Sequence, residues 1–204
     1  MTSLPLFWPM LGFMVAAAFT PGPNNIMLAA SGANFGFRRT IPHMLGVAGG
    51  IIGLMLLVGL GLGVLFETFP LVRQVLRVGA LSFILYLAWR IATSGRSTDA
   101  KGRGRPMNFI EAASFQLINP KGIVMAISVT TTFISPDANF TAQFIVLLAA
   151  FTVITFAAVT TWAGFGLIIG RLIQTDRRQR LFNITMAVLL VASILPVAAD
   201  MLTP

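Results

Sequence analysis

Two short segments of this chain carry the residue types that could do chemistry, and both interrupt apolar sequence. They are Phe19-Thr20-Pro21-Gly22-Pro23-Asn24-Asn25 and Gln116-Leu117-Ile118-Asn119-Pro120-Lys121-Gly122. Proline inside a helix removes one backbone hydrogen bond and clashes with the carbonyl four residues earlier. Pro21, Pro23 and Pro120 would therefore free the carbonyls of Ala17, Phe19 and Gln116, and Gly22 lets the backbone unwind. Beyond each break a new half-helix starts, with unpaired amides and the positive end of its dipole. Asn24, Asn25 and Asn119 either cap those starts or bind a ligand directly. Carbonyl acceptors beside amide donors suit an α-amino acid, whose ammonium needs the former and whose carboxylate needs the latter. Lys121 adds a cation at the second break. A lysine at the bilayer centre costs about 2.5–3.5 kcal/mol on insertion scales and marks a functional position by default. The candidate substrate-binding set is Pro21, Gly22, Pro23, Asn24, Asn25, Asn119, Pro120 and Lys121. Lys121 either holds the substrate carboxylate or repels the empty site shut, and the residue types leave both roles open.

The elements that must position these residues follow from composition. Of 204 residues, 56% are hydrophobic and 10% charged, with a mean hydropathy of +0.87. A soluble domain carries roughly 25% charged residues, so this chain cannot cover itself with a polar surface and reads as an integral membrane protein. Six apolar runs, approximately 7–33, 41–66, 70–93, 108–134, 141–170 and 180–200, each approach the ~20 residues that cross a bilayer as a helix. The lipid bilayer is thus the first partner. The chain has no cysteine and one histidine, which leaves no thiolate metal site and little for a His-based one. No cofactor, metal site or catalytic residue is expected. An intramembrane enzyme built on Ser31, Ser128 or His43 lacks a base beside a nucleophile. An exporter of a metal ion would depend on Met or carboxylates, and a membrane scaffold has no use for two breaks. The net charge of +8 does not indicate nucleic acid, because the charges cluster at the ends of the apolar runs.

Their placement predicts topology. Arg38, Arg39, Arg90, Arg96, Lys101, Arg103, Arg105, Arg171, Arg177, Arg178 and Arg180 fall on odd-numbered connectors, eleven against Arg73 and Arg77 on the other side. The odd connectors are therefore expected in the cytoplasm and both termini outside. A Gly/Arg/Ser-rich stretch at 94–106 divides the chain into repeats at 1–93 and 107–204. Three spans per half force the halves into opposite orientations. The fold expected is an all-α membrane protein of six transmembrane helices, as two inverted three-helix repeats with helices one and four broken. Hydrocarbon tolerates irregular backbone only where it is buried or lines a cavity. Paired breaks in corresponding positions of two halves point to a transporter's binding site. The pairs Gly46/Gly50, Gly49/Gly53 and Gly59/Gly63 each lie on one helix face. Packing within the chain is favoured for them over a homodimer interface. Glu111 and Asp200 are candidates for proton coupling or gating, although a carboxylate facing the interface is the favoured reading of each. His43 is expected at the interface.

At these motifs the sequence resembles the LysE/RhtB amino-acid exporters. Phe19-Thr20-Pro21-Gly22-Pro23-Asn24 matches the family's first-span signature and Asn119-Pro120-Lys121 its fourth-span signature; length, six runs and the central linker agree. The resemblance implies export of amino acids or close derivatives, driven by the proton gradient, across a bacterial inner membrane. Leu87-Ala88-Trp89-Arg90-Ile91-Ala92-Thr93-Ser94 is similar to the branch that exports cysteine and O-acetylserine. Many members carry aromatic residues just after the second motif, where this chain has Gly122-Ile123-Val124-Met125-Ala126.

Overall fold

The computed structural model describes residues 4–61, 68, 70–93, 105–134, 139–173 and 175–199. Asp200 and most of the central linker lie outside them. The described residues are helical with no strand. In chain order the helices are α1 (Leu4–Phe19), α2 (Pro23–Phe35), α3 (Phe37–Gly59), α4 (Pro70–Ala92), α5 (Phe109–Gln116), α6 (Pro120–Phe133), α7 (Phe140–Leu172), α8 (Asp176–Ala192) and α9 (Leu195–Ala199).

Local chemistry accounts for these boundaries. Pro23 and Pro120 are the first residues of α2 and α6, where a missing N–H leaves no bond unmade. Asn108 and Glu111 form a reciprocal capping box at the start of α5. Asn139 and Thr175 accept backbone N–H groups at the starts of α7 and α8. Between α2 and α3 the only non-helical residue is Gly36, at φ 79°, a conformation that favours glycine. Arg38 and Arg39 consequently sit in the first turn of α3, not in a connector that separates two runs.

The helices are inside-out relative to a soluble protein. Trp8, Val153, Ile145, Ile168 and Val188 are exposed, whereas Asn34, His43, Gln116, Gln143, Gln179 and Asn183 are buried. Helices α3 and α7 are both long and apolar enough to cross a membrane. On α7, Leu147, Phe151, Thr155, Ala158, Ala163 and Gly166 form one buried stripe, the spacing of a single helix face.

Small residues set the closest helix crossings. A Cβ on Gly170 would lie 2.6 Å from the Ala33 carbonyl oxygen, and one on Gly166 would run into the backbone of Ala29. Helices α2 and α7 thus meet backbone to backbone. Gly50 approaches Ala113 of α5 in the same way, where a Cβ would lie 2.6 Å from the carbonyl oxygen, and Gly46 approaches Phe109 and Ala112. The Gly46/Gly50 face therefore packs within the chain, whereas a Cβ on Gly53 would meet nothing within 4 Å. Two apolar clusters result. One gathers Met27, Met44, Val47, Phe115 and Val159; the other gathers Met10, Met14, Ile51, Met55 and Phe151.

Candidate functional site

Helix α1 ends at Phe19, and Thr20 still donates its N–H to the Ala16 carbonyl at 3.0 Å. Pro21 has no N–H to offer, and Gly22 is extended at φ −170°, ψ 177°. The carbonyls past this point have lost their helical donors. Side chains replace them at Ala18 and Thr20, where the sequence pointed to Ala17 and Phe19, because Gly22 has already left the helical path. Asn25 donates Nδ2 to Ala18 O at 2.7 Å and to Thr20 O at 2.9 Å. Lys121, from α6, donates Nζ to the same Thr20 carbonyl at 2.6 Å. Any residue can adopt the Gly22 backbone conformation. A Cβ there would stand 2.8 Å from Cδ of Lys121, so a larger residue would push the lysine side chain aside.

The second interruption is shorter. Leu117 and Ile118 form a turn after α5, and Asn119 donates its N–H to the Gln116 carbonyl at 3.3 Å. Asn119 holds the N-cap position of α6 without a side-chain cap bond. Its Nδ2 instead donates to Gln116 Oε1 at 3.2 Å, and its buried Oδ1 has no hydrogen-bond partner among the described residues. Gln116 exchanges amide bonds with Asn24, receiving Nδ2 at 2.8 Å and donating Nε2 at 3.2 Å, with a further bond to Ala112 O at 2.9 Å. The two interruptions are thus joined twice, through Asn24–Gln116 and through Lys121–Thr20.

Between them lies a cleft with about 500 Å³ of empty space, part of it open. Gly22, Pro23, Asn24, Asn25, Asn119 and Lys121 line it; Pro21 and Pro120 set the backbone without reaching the wall. Its apolar walls come from both clusters, Val47 and Val159 from one and Ile51 from the other. Ligand sites commonly combine such an apolar enclosure with a few placed polar groups. Thr155, buried on α7, adds a hydroxyl. Sequence reasoning passed over Thr155 and treated Gln116 only as the owner of a freed carbonyl. The four-residue spacing of Thr155 from Phe151 and Val159 on the α7 stripe is the one sequence signal for it.

The remaining candidates lie elsewhere. Glu111 accepts the Asn108 N–H at 2.9 Å and pairs with Arg105. The Glu111 hydrogen bond holds the Arg105 guanidinium above its ordinary pKa. Glu111 is not among the residues that line the cleft. Ser31 shares a 2.9 Å hydrogen bond with Thr40. His43 is not interfacial: it is 1% exposed, because α3 begins six residues earlier and turns this face inward.

Similarity to known proteins runs over nearly the whole chain. Residues 15–199 match the model of the LysE type translocator family. The chain is 30% identical over 193 residues to the cysteine/O-acetylserine efflux protein of Escherichia coli strain K12, which covers 93% of this chain and 94% of the relative. It is 34% identical over 192 residues to the protein of the same name from Salmonella paratyphi A, which covers 92% and 93%. No solved structure matches the chain. Its membership is carried by nearly the whole length, and the chain belongs to the LysE-type translocators, a family of membrane proteins.

Proposed function

We propose that this protein exports small zwitterionic amino acids or close derivatives, of the cysteine and O-acetylserine class, from the cytoplasm of a bacterium across its inner membrane. The observation that carries the reading is the meeting of Lys121 with the Thr20 carbonyl, across a cleft that both interruptions line. The names of the efflux relatives support the same substrate class.

The cleft supplies both halves of amino-acid recognition. The Ala18 and Thr20 carbonyls suit an ammonium, and the amides at the start of α6, with the dipole behind them, suit a carboxylate. Lys121 Nζ itself holds the Thr20 carbonyl. An arriving carboxylate draws Nζ toward it, and the substrate ammonium takes the carbonyl that Lys121 leaves. The lysine thus yields the carbonyl to the substrate ammonium and takes its carboxylate.

In this reading α1–α2 and α5–α6 are broken first and fourth spans of two inverted three-span repeats, 1–93 and 107–204, which rock around the cleft in alternating access. Basic connectors then face the cytoplasm and both termini lie outside. Proton antiport supplies the drive: one charge moving through 100 mV yields about 2.3 kcal/mol. The test is mass spectrometry of the medium from overexpressing cells. O-acetylserine, cysteine or a related amino acid accumulates outside wild-type cells, and Lys121→Ala abolishes the accumulation while inserting normally. Accumulation undiminished in Lys121→Ala would remove this site assignment.

A further inference from the structure

Of the polar side chains that line the central cleft, all but one are committed within the protein. Asn24 exchanges amide bonds with Gln116, Asn25 donates to two carbonyls, Asn119 donates to Gln116, and Lys121 donates to Thr20. Thr155 is the exception. A threonine within a helix can satisfy its hydroxyl on the carbonyl four residues back. Its neighbours on α7 do so, Thr152 donating to Leu148 O at 2.7 Å and Thr161 to Ala157 O at 2.8 Å. Thr155 is 7% exposed and makes no hydrogen bond among the described residues. Its hydroxyl is not sealed in either. The partnerless buried polar atoms that are closed to solvent belong to His43, Asn119 and Trp162, so Thr155 Oγ1 keeps access through the cleft that the residue lines.

The two charged groups of an amino acid are provided for at the interruptions. What remains of the lining is chiefly Val47 and Ile51 of α3 with Thr155, Ala158 and Val159 of α7. The substrate side chain is therefore left to a hydrocarbon wall that holds one free hydroxyl. A hydroxyl donates one hydrogen bond and accepts up to two, whereas a thiol is weak in both roles. An ester carbonyl gives the hydroxyl a full acceptor. A hydrocarbon chain gives it nothing and displaces the water that could have replaced one, which leaves a buried donor unpaired. A site that hydrogen-bonds its substrate rejects the isostere lacking the partner far more strongly than a purely apolar pocket rejects an added polar group.

We propose that Thr155 is a specificity-determining residue of the cleft: its hydroxyl donates to an oxygen on the substrate side chain, and so selects short chains bearing an ester or carbonyl acceptor over hydrocarbon chains of the same shape. The proposal rests on the amino-acid reading of the cleft. O-acetyl-L-serine and L-homoleucine test it, because the second replaces both ester oxygens of the first by hydrocarbon with little change of shape. Equilibrium binding to purified protein in nanodiscs, with either ligand tritiated, gives both affinities. The wild type is expected to favour O-acetyl-L-serine by at least about tenfold, one unit in log Kd. Thr155→Val keeps the shape without the hydroxyl and brings the two ligands within about threefold, half a unit in log Kd, chiefly by weakening O-acetyl-L-serine. Thr155→Ser keeps the preference. Each preference is a ratio within one variant, so differences in folded amount cancel, and Thr155→Ala gives the same comparison should Thr155→Val fold poorly.

A preference that survives loss of the hydroxyl overturns the proposal. So does a parallel weakening of both ligands, which would make Thr155 a packing residue, or a wild type that does not distinguish them. Efflux of O-acetyl-L-serine from wild-type proteoliposomes, measured alongside, keeps the two readings apart. Efflux with an unaltered preference in Thr155→Val sinks the role of Thr155 alone. A preference that depends on Thr155 without efflux sinks export alone, and neither binding nor efflux sinks both.

Discussion

Helix α2 carries a carboxamide cluster near each end, and the two differ in what they enclose. Toward its start, Asn24 meets Gln116 and, through it, Asn119. Near its finish, Asn34 exchanges amide bonds with Asn183 at 2.7 and 2.9 Å and accepts a third from Gln179 at 3.1 Å. The second cluster is closed: all three residues are buried, and Asn34 also binds the Ala30 carbonyl at 2.8 Å. The first leaves Asn119 Oδ1 without a partner among the described residues and opens onto the cleft beside Lys121. The same side-chain chemistry therefore serves as a joint where every group is matched and as a site where one is left over. A satisfied buried network rigidifies, whereas a buried polar group left unpaired is costly.

Breaking the open cluster should have the largest effect on activity. Gln116→Leu removes the side chain that holds both Asn24 and Asn119, and so detaches one interruption from the other. Export of O-acetyl-L-serine is expected to fall more than about tenfold, a transition-state loss above ~1.4 kcal/mol, with membrane insertion unchanged. Efflux at the wild-type rate would show that the amide bridge is not part of the transport machinery.

The closed cluster should respond in stability instead. Asn183→Leu removes two of the four hydrogen bonds of the Asn34 amide, and each buried group left unsatisfied costs about 1–3 kcal/mol. Unfolding of the purified protein should begin at lower temperature, while transport per folded molecule stays within about twofold, less than ~0.5 kcal/mol. A transport defect as large as that of Gln116→Leu would erase the distinction between joint and site.

These two clusters also show what could be read from the residues alone. Proline chemistry makes Pro23 and Pro120 helix starts, and composition makes the chain helical and apolar. The second cluster was hidden because Gln179 stands in Asp176-Arg177-Arg178-Gln179-Arg180, a run whose charges read as solvated connector. Asn183 stands one turn further on, inside the last apolar run. His43 was hidden in the same way, by Arg38 and Arg39 nearby, until the structure carried α3 back to Phe37 and turned that face inward. Polar residues beside charge runs look like surface in one dimension, and only the helix crossings decide otherwise. Likewise the glycines of α3 announced close packing, but their partners on α5 depended on contacts made across the two halves of the chain.

The smallest effect is expected at Glu111, one end of the short helix whose other end is Gln116. Glutamine at this position keeps the capping box, since either Glu or Gln can reach back to the N-cap amide, and removes only the charge that pairs with Arg105. That pair is partly exposed, with side-chain exposures of 54% and 32%, and such pairs contribute about 0–1 kcal/mol. Glu111→Gln should therefore alter stability by less than ~1 kcal/mol and leave the rate of efflux and its pH dependence as in the wild type. If the pH dependence flattens instead, the proton passes through Glu111, and the open amide cluster is coupled to it along the two turns of α5.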